Sequence, residues 1–145
     1  MNDMERARTL LADGDYTCVL CRGEQTYTAA ARGVAPLLDW LDAGTDMTGF
    51  AAADRVVGKA AALLYVLLRV RAVYAPVMSE AAQAALRAHG IEAACDTLVP
   101  AIRNRLNTGL CPMEQTVADI DDPQAAREAV AAKRKELQAK KSGTV

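Results

Sequence analysis

Residues 111–114 read Cys-Pro-Met-Glu, the stretch of this 145-residue chain whose residue types and spacing come closest to chemistry. Proline is favoured at the first position of a helix, so Pro112 puts Cys111 at a helix N-cap. Free backbone N–H groups and the positive end of the helix dipole stabilise an anion there and raise a thiol's thiolate fraction. Glu114 falls at the third helical position, within reach of the cap. Two readings follow. Cys-x-x-Glu is a capping box with cysteine in the Ser/Thr role, or Cys111 is a nucleophile or anion cradle that Glu114 orients or serves as proton shuttle. Cysteine is a poor cap, which favours the second.

A second concentration of chemistry is Gly58-Lys59, inside the apolar run VVGKAAALL. The lysine either snorkels past small neighbours or directs its ammonium into a polar cavity, because a buried ammonium without a partner is costly. Gly58 sacrifices about 1 kcal/mol of helix propensity and lets something approach the backbone closely. Asn104-Arg105, shortly before Cys111, either bind an anion or cap a turn. Gly58, Lys59, Asn104, Arg105 and Cys111 are therefore candidate ligand-binding residues, with Cys111, Lys59 and Glu114 the candidate catalytic set. Cys18 and Cys21 form a nominal C-x-x-C, but residues three apart on a strand point to opposite faces and cannot chelate together. His89, the only histidine, precedes Gly90 and is explained by the end of a helix. No metal ligand set and no cofactor motif are expected.

The elements that must position these residues follow from periodicity. Residues 3–12 carry apolar positions at helical spacing. DYTCVLCR and TYTAA, joined across Gly23, read as an antiparallel hairpin. A helix opened by Pro36 ends at Gly44. From Val56 to Leu68 the chain is apolar almost all round, which predicts a helix buried at the centre of the fold. AVYAPV is a strand, a helix capped by Ser79 runs to Gly90, and IEAACDTLV is a further strand, together a parallel β-α-β crossover. AIRNRL is expected as a short helical turn, followed by the helix begun at Pro112 and a polar helix over 123–141. The expected fold is α/β: a three-layer α/β/α domain over residues 1–122 with a mixed sheet of four or five strands, then a C-terminal polar helix and tail over 123–145.

Composition bounds the function. Hydrophobic residues are 52% and charged residues 24%, with no apolar run of the roughly 18 residues a membrane helix needs. The N-terminus does not read as a secretory signal, so the cytoplasm is expected, with the four cysteines as free thiols. A net charge of −1 and 4% aromatics argue against nucleic acid as a partner. A small-molecule ligand is the expected partner, and self-association into a homo-oligomer stays open.

Taken in order, ADRVVGKAAALL, APVMS and NRLNTGLCPME resemble an uncharacterised microbial domain family grouped with the cytidine deaminase-like fold. GVAPLL at 33–38 and the His-Gly-Ile turn at 89–91 also match, and the resemblance covers roughly residues 5–120. In deaminases of that fold, one helix opens with H/C-x-E and another with P-C-x-x-C, and together they supply zinc ligands and a proton-shuttling glutamate. Here the corresponding helix starts carry Gly-Lys-Ala-Ala and Cys-Pro-Met-Glu, so the resemblance implies the place of the deaminase chemistry without its metal. Three functions follow: a metal-free pocket for a small, anionic or nucleotide-like ligand; an enzyme using Cys111, Lys59 and Glu114; or a non-catalytic regulatory or interaction module.

Overall fold

The computed structural model describes residues 1–104 and 109–142. The chain forms α1 (Asp3–Asp13), β1 (Cys18–Arg22), β2 (Gln25–Ala29), α2 (Ala35–Asp42), β3 (Ala51–Asp54), β4 (Val56–Val57), α3 (Lys59–Leu68), β5 (Ala72–Ser79), α4 (Glu80–Ala88), β6 (Glu92–Val99), α5 (Pro112–Val117) and α6 (Pro123–Ser142). The six strands make one mixed sheet. β1 pairs antiparallel with β2 and β3, while β3, β4 and β6 all run parallel to β5. β3 and β4 keep one register along β5 (Ala51↔Ala72, Val56↔Val77), so β4 continues the line of β3 past a break at Arg55.

The expected elements are present, with three differences. The sheet has six strands rather than four or five, because Ala-Ala-Ala-Asp at 51–54 is a central strand and Val56–Val57 forms a short one beside β5. Alanine has little strand preference of its own, but Ala51, Ala52 and Ala53 are fully buried, and small side chains let helices close on both faces. The central helix begins at Lys59 rather than Val56: Val56 and Val57 are taken up by β5, and Gly58 is the N-cap. The third difference lies before Cys111. Described residues 102–104 do not form a helical turn; Arg103 bridges Leu110 in antiparallel fashion, and Cys111 N–H donates to the Ile102 carbonyl at 3.0 Å.

The sheet's alternation separates two apolar clusters. Val19, Cys21, Ala53 and Tyr74 meet Ala7 and Leu11 of α1. Cys18, Leu20, Ala52 and Val73 share the other cluster with α3 and with residues of α2, α4, α5 and α6. Cys18 and Cys21 thus face opposite ways, as strand geometry requires. Within the larger cluster α3 is buried at Ala60 through Tyr65 and again at Leu68, which satisfies the all-round apolar pattern of its sequence. Ala126 and Val130 of α6 are fully buried in that cluster too, so the apolar stripe of this polar helix packs on α3 and α5. Ser79 caps α4, its Oγ accepting from Ala82 N–H at 3.0 Å, and His89 is the C-cap. No helix among the described residues is long and apolar enough to cross a membrane.

Candidate functional site

The start of α5 is brought to the start of α3 by one side chain. Glu114 accepts from the backbone N–H groups of Lys59 at 2.7 Å and Ala60 at 3.0 Å, with one carboxylate oxygen on each. These are two of the free donors of α3's first turn, and the negative charge sits at the positive end of its dipole. Glu114 therefore caps a different helix from its own, a geometry that neither sequence reading of Cys-x-x-Glu contains. The same contact explains Gly58. Its backbone is extended (φ −99°, ψ 180°) and demands no glycine, but a Cβ built there would lie 2.5 Å from the Glu114 carboxyl group. Glycine is present so that the carboxylate can reach the helix.

Lys59 does not join Cys111. Its side chain is only 13% exposed, and its Nζ contacts Asp121 Oδ1 at 2.8 Å and donates to the Ala118 carbonyl at 3.2 Å, at the far end of α5. Cys111 is the N-cap of α5, yet its thiol makes no capping hydrogen bond. With Glu114 held on α3 and Lys59 on Asp121, the proposed trio of nucleophile, base and ammonium is not assembled around one reacting atom. Asn104 donates its backbone N–H to Gly109 at 2.9 Å; Arg105 lies outside the described residues.

Between the two helix starts is a cavity of about 310 Å³, lined by Gly58, Ala60 and Ala61 from α3 and by Cys111, Met113 and Glu114. Its far wall comes from the carboxyl end of β3, where Asp54 stands beside its cross-strand partner Cys18. Sequence reasoning passed over Asp54, although it lies four residues before Gly58 in a segment otherwise free of charge except Arg55. Its Oδ2 accepts from the buried Tyr65 hydroxyl of α3 at 2.7 Å. Burial pushes the Asp54 carboxyl up to about 7, against the downward pull of Tyr65 and of the Val56 and Arg55 N–H groups. Cys18 is pushed up to about 12, first by burial and then by the Asp54 charge. Arg55 does not neutralise Asp54 with a direct pair: its guanidinium donates to the Leu11, Gly14 and Tyr16 carbonyls and so holds the end of α1. Arg32 stands at the mouth, which continues into an outer groove bordered by Arg134 and Lys140 of α6.

Residues 6–133 match the family model described as a domain of unknown function, DUF1893. The chain belongs to the DUF1893 family. It is also similar to the crystal structure of a DUF1893 family protein, TM1506, from Thermotoga maritima, with 23% identity, a TM-score of 0.84, and 91% of this chain and 90% of that one covered. None of the curated proteins compared with the chain matches it. The DUF1893 match extends past the expected limit near residue 120 and takes in half of α6, in keeping with the burial of Ala126 and Val130.

For this DUF1893 chain the zinc of deaminases does not fit the helix starts. Glu114 already spends both oxygens on α3, Cys111 is the one thiol there, and no group of three His, Cys, Asp or Glu able to hold a metal occurs among the described residues.

Proposed function

We propose that this chain is a metal-free small-ligand-binding domain on a three-layer, cytidine deaminase-like α/β fold, and that its ligand is nucleotide-like. The observation that carries this reading is the cavity between the starts of α3 and α5, beside the carboxyl end of β3. Open α/β sheets place ligands at that end of their strands, and a mainly apolar cavity with a few convergent polar groups is the usual form of a small-molecule site. A planar ring would enter between Ala61, Met113 and Val34, while an attached phosphate would meet Arg32 at the mouth and the basic border of the outer groove. The placement of α1 on one face of the sheet and α3 with its neighbours on the other supports the three-layer description.

The test is calorimetric titration of the full chain with AMP, CMP, GMP and UMP, with the four nucleosides and with inorganic phosphate. The same titrations are run on Ala61→Phe, which fills the cavity, and on Arg32→Ala. At least one nucleotide is expected to bind more tightly than its nucleoside, to lose that advantage in Arg32→Ala and to lose binding in Ala61→Phe. Failure of every nucleotide to bind, or binding untouched by Ala61→Phe, overturns the reading.

A further inference from the structure

Asp54 and Glu114 are the two carboxylates on the cavity wall, and Asp54 is the one that does not cap a helix. Glu114 has one backbone donor of α3 on each oxygen, which ties its charge to that helix start. Asp54 lines the cavity with its Oδ2 on the Tyr65 hydroxyl, and the Val56 and Arg55 N–H groups also favour its charged form. The carboxyl group is also fixed in place. It is the last residue of β3, cross-strand to Cys18, and the fully buried Tyr65 of α3 holds it. A carboxylate so oriented at the end of a cavity selects a partner that offers N–H donors in a plane, because two parallel donors satisfy a carboxylate better than any single contact.

Resting on the pocket reading above, we infer that Asp54 is the recognition residue of the cavity and that the part of the ligand that enters first is a planar amidine-like or amino-heteroaromatic edge. The rest of the cavity agrees with this. Gly58, Ala60 and Ala61 contribute small residues to the lining, which leaves room for a ring, and Met113 adds an adaptable apolar contact. Arg32, exposed and shared by the cavity and the outer groove, offers a cation to any anionic group on the part of the ligand that extends outward. Binding is linked to protons, since a carboxyl group that ionises near neutrality can take a pair of N–H donors, one on each oxygen, and attract a cationic edge only in its charged form. The other groups facing it are Tyr65 and Cys18, both pushed upward by burial and neutral at pH 6–8, the Arg55 guanidinium, and, around the cavity, Glu114, Cys111 and Arg32.

The probes are benzamidine, benzamide and benzoate, three flat molecules of one size that carry a cationic, a neutral and an anionic end. Each is titrated by calorimetry into the full chain, Asp54→Asn and Ala61→Phe. Benzamidine is expected to bind wild type about tenfold or more tightly than benzamide, the advantage of a hydrogen bond to a charged acceptor, and benzoate weakest. Asp54→Asn is expected to erase the preference and to retain benzamide binding; Ala61→Phe is expected to remove all three. In wild type and in Cys111→Ser, benzamidine affinity is expected to rise about tenfold from pH 6 to pH 8, a measurement that needs no change at Asp54. Equal affinity for benzamidine and benzamide, an unchanged preference in Asp54→Asn, or a flat pH profile overturns the inference while leaving the pocket standing. Failure of all three probes where a nucleotide binds overturns the inference alone, and failure of probes and nucleotides together overturns the pocket as well.

Discussion

Replacing Asp54 with asparagine exposes the energetic cost of holding a carboxylate at the end of this cavity. In the unfolded chain the group titrates near its ordinary value of 3.8, whereas in the fold burial raises it to about 7. A carboxyl group whose value rises on folding contributes stability that is fully present below the lower value and is lost as pH climbs through the upper one. Integrated over that window, the penalty borne by wild type is roughly 2 kcal/mol at pH 5 and roughly 4 kcal/mol at pH 8. Asparagine does not ionise, and its amide oxygen can still accept from Tyr65. The stability of Asp54→Asn relative to wild type should therefore increase by about 2–3 kcal/mol between pH 5 and pH 8. Urea unfolding, followed by fluorescence of Trp40, which is packed edge-on against Tyr27, gives both curves at each pH. Taking the difference between the two proteins removes every other titrating group. If the variant is destabilised equally at both pH values, or if the difference narrows at pH 8, Asp54 is not a strained carboxylate and the reasoning fails.

Glu114→Ala should cost about 1–2 kcal/mol by uncapping α3, and Gly58→Ala a similar amount by displacing the same carboxylate. The double variant should cost little more than Glu114→Ala alone, so additive losses in the unfolding cycle would disprove the contact. Under native conditions, alkylation read by peptide mass spectrometry should reach Cys111 and Cys95 well before buried Cys18 and Cys21. Lys59→Met should leave the Cys111 rate unchanged because the ammonium is held by Asp121 and Ala118; a slower Cys111 would return the lysine to the thiol. Arg69 ends α3 in the left-handed region (φ 65°), so Arg69→Gly should raise stability by about 0.5–1 kcal/mol, and a loss in thermal unfolding would show that the arginine side chain compensates for the strain.

Much of the local structure was written in periodicity and punctuation. The hairpin at Gly23, the helix opened by Pro36, the Ser79 cap and the β5-α4-β6 crossover depend on neighbours within a few residues, and each was legible before the fold was seen. The apolar run after Lys59 likewise required a central helix. What the sequence left undetermined was decided between distant segments. Ala51–Asp54 is a strand because β1 and β5 supply its hydrogen-bond partners from both sides, not because alanine prefers one. Gly58 and Glu114 were each singled out, but their relation was invisible: a carboxylate that caps its own helix and one that caps another have the same spacing in the chain. Lys59 carried the same ambiguity, since an ammonium in an apolar run needs a partner and only packing names Asp121. Asp54 was missed outright because one acid at a strand's end carries no pattern. Its significance comes from burial, from Tyr65 eleven residues on, and from a cavity that exists only once α3 and α5 meet. Short-range preferences are fixed by adjacent residues, whereas the charge state and exposure of a side chain are set by whatever the fold places around it.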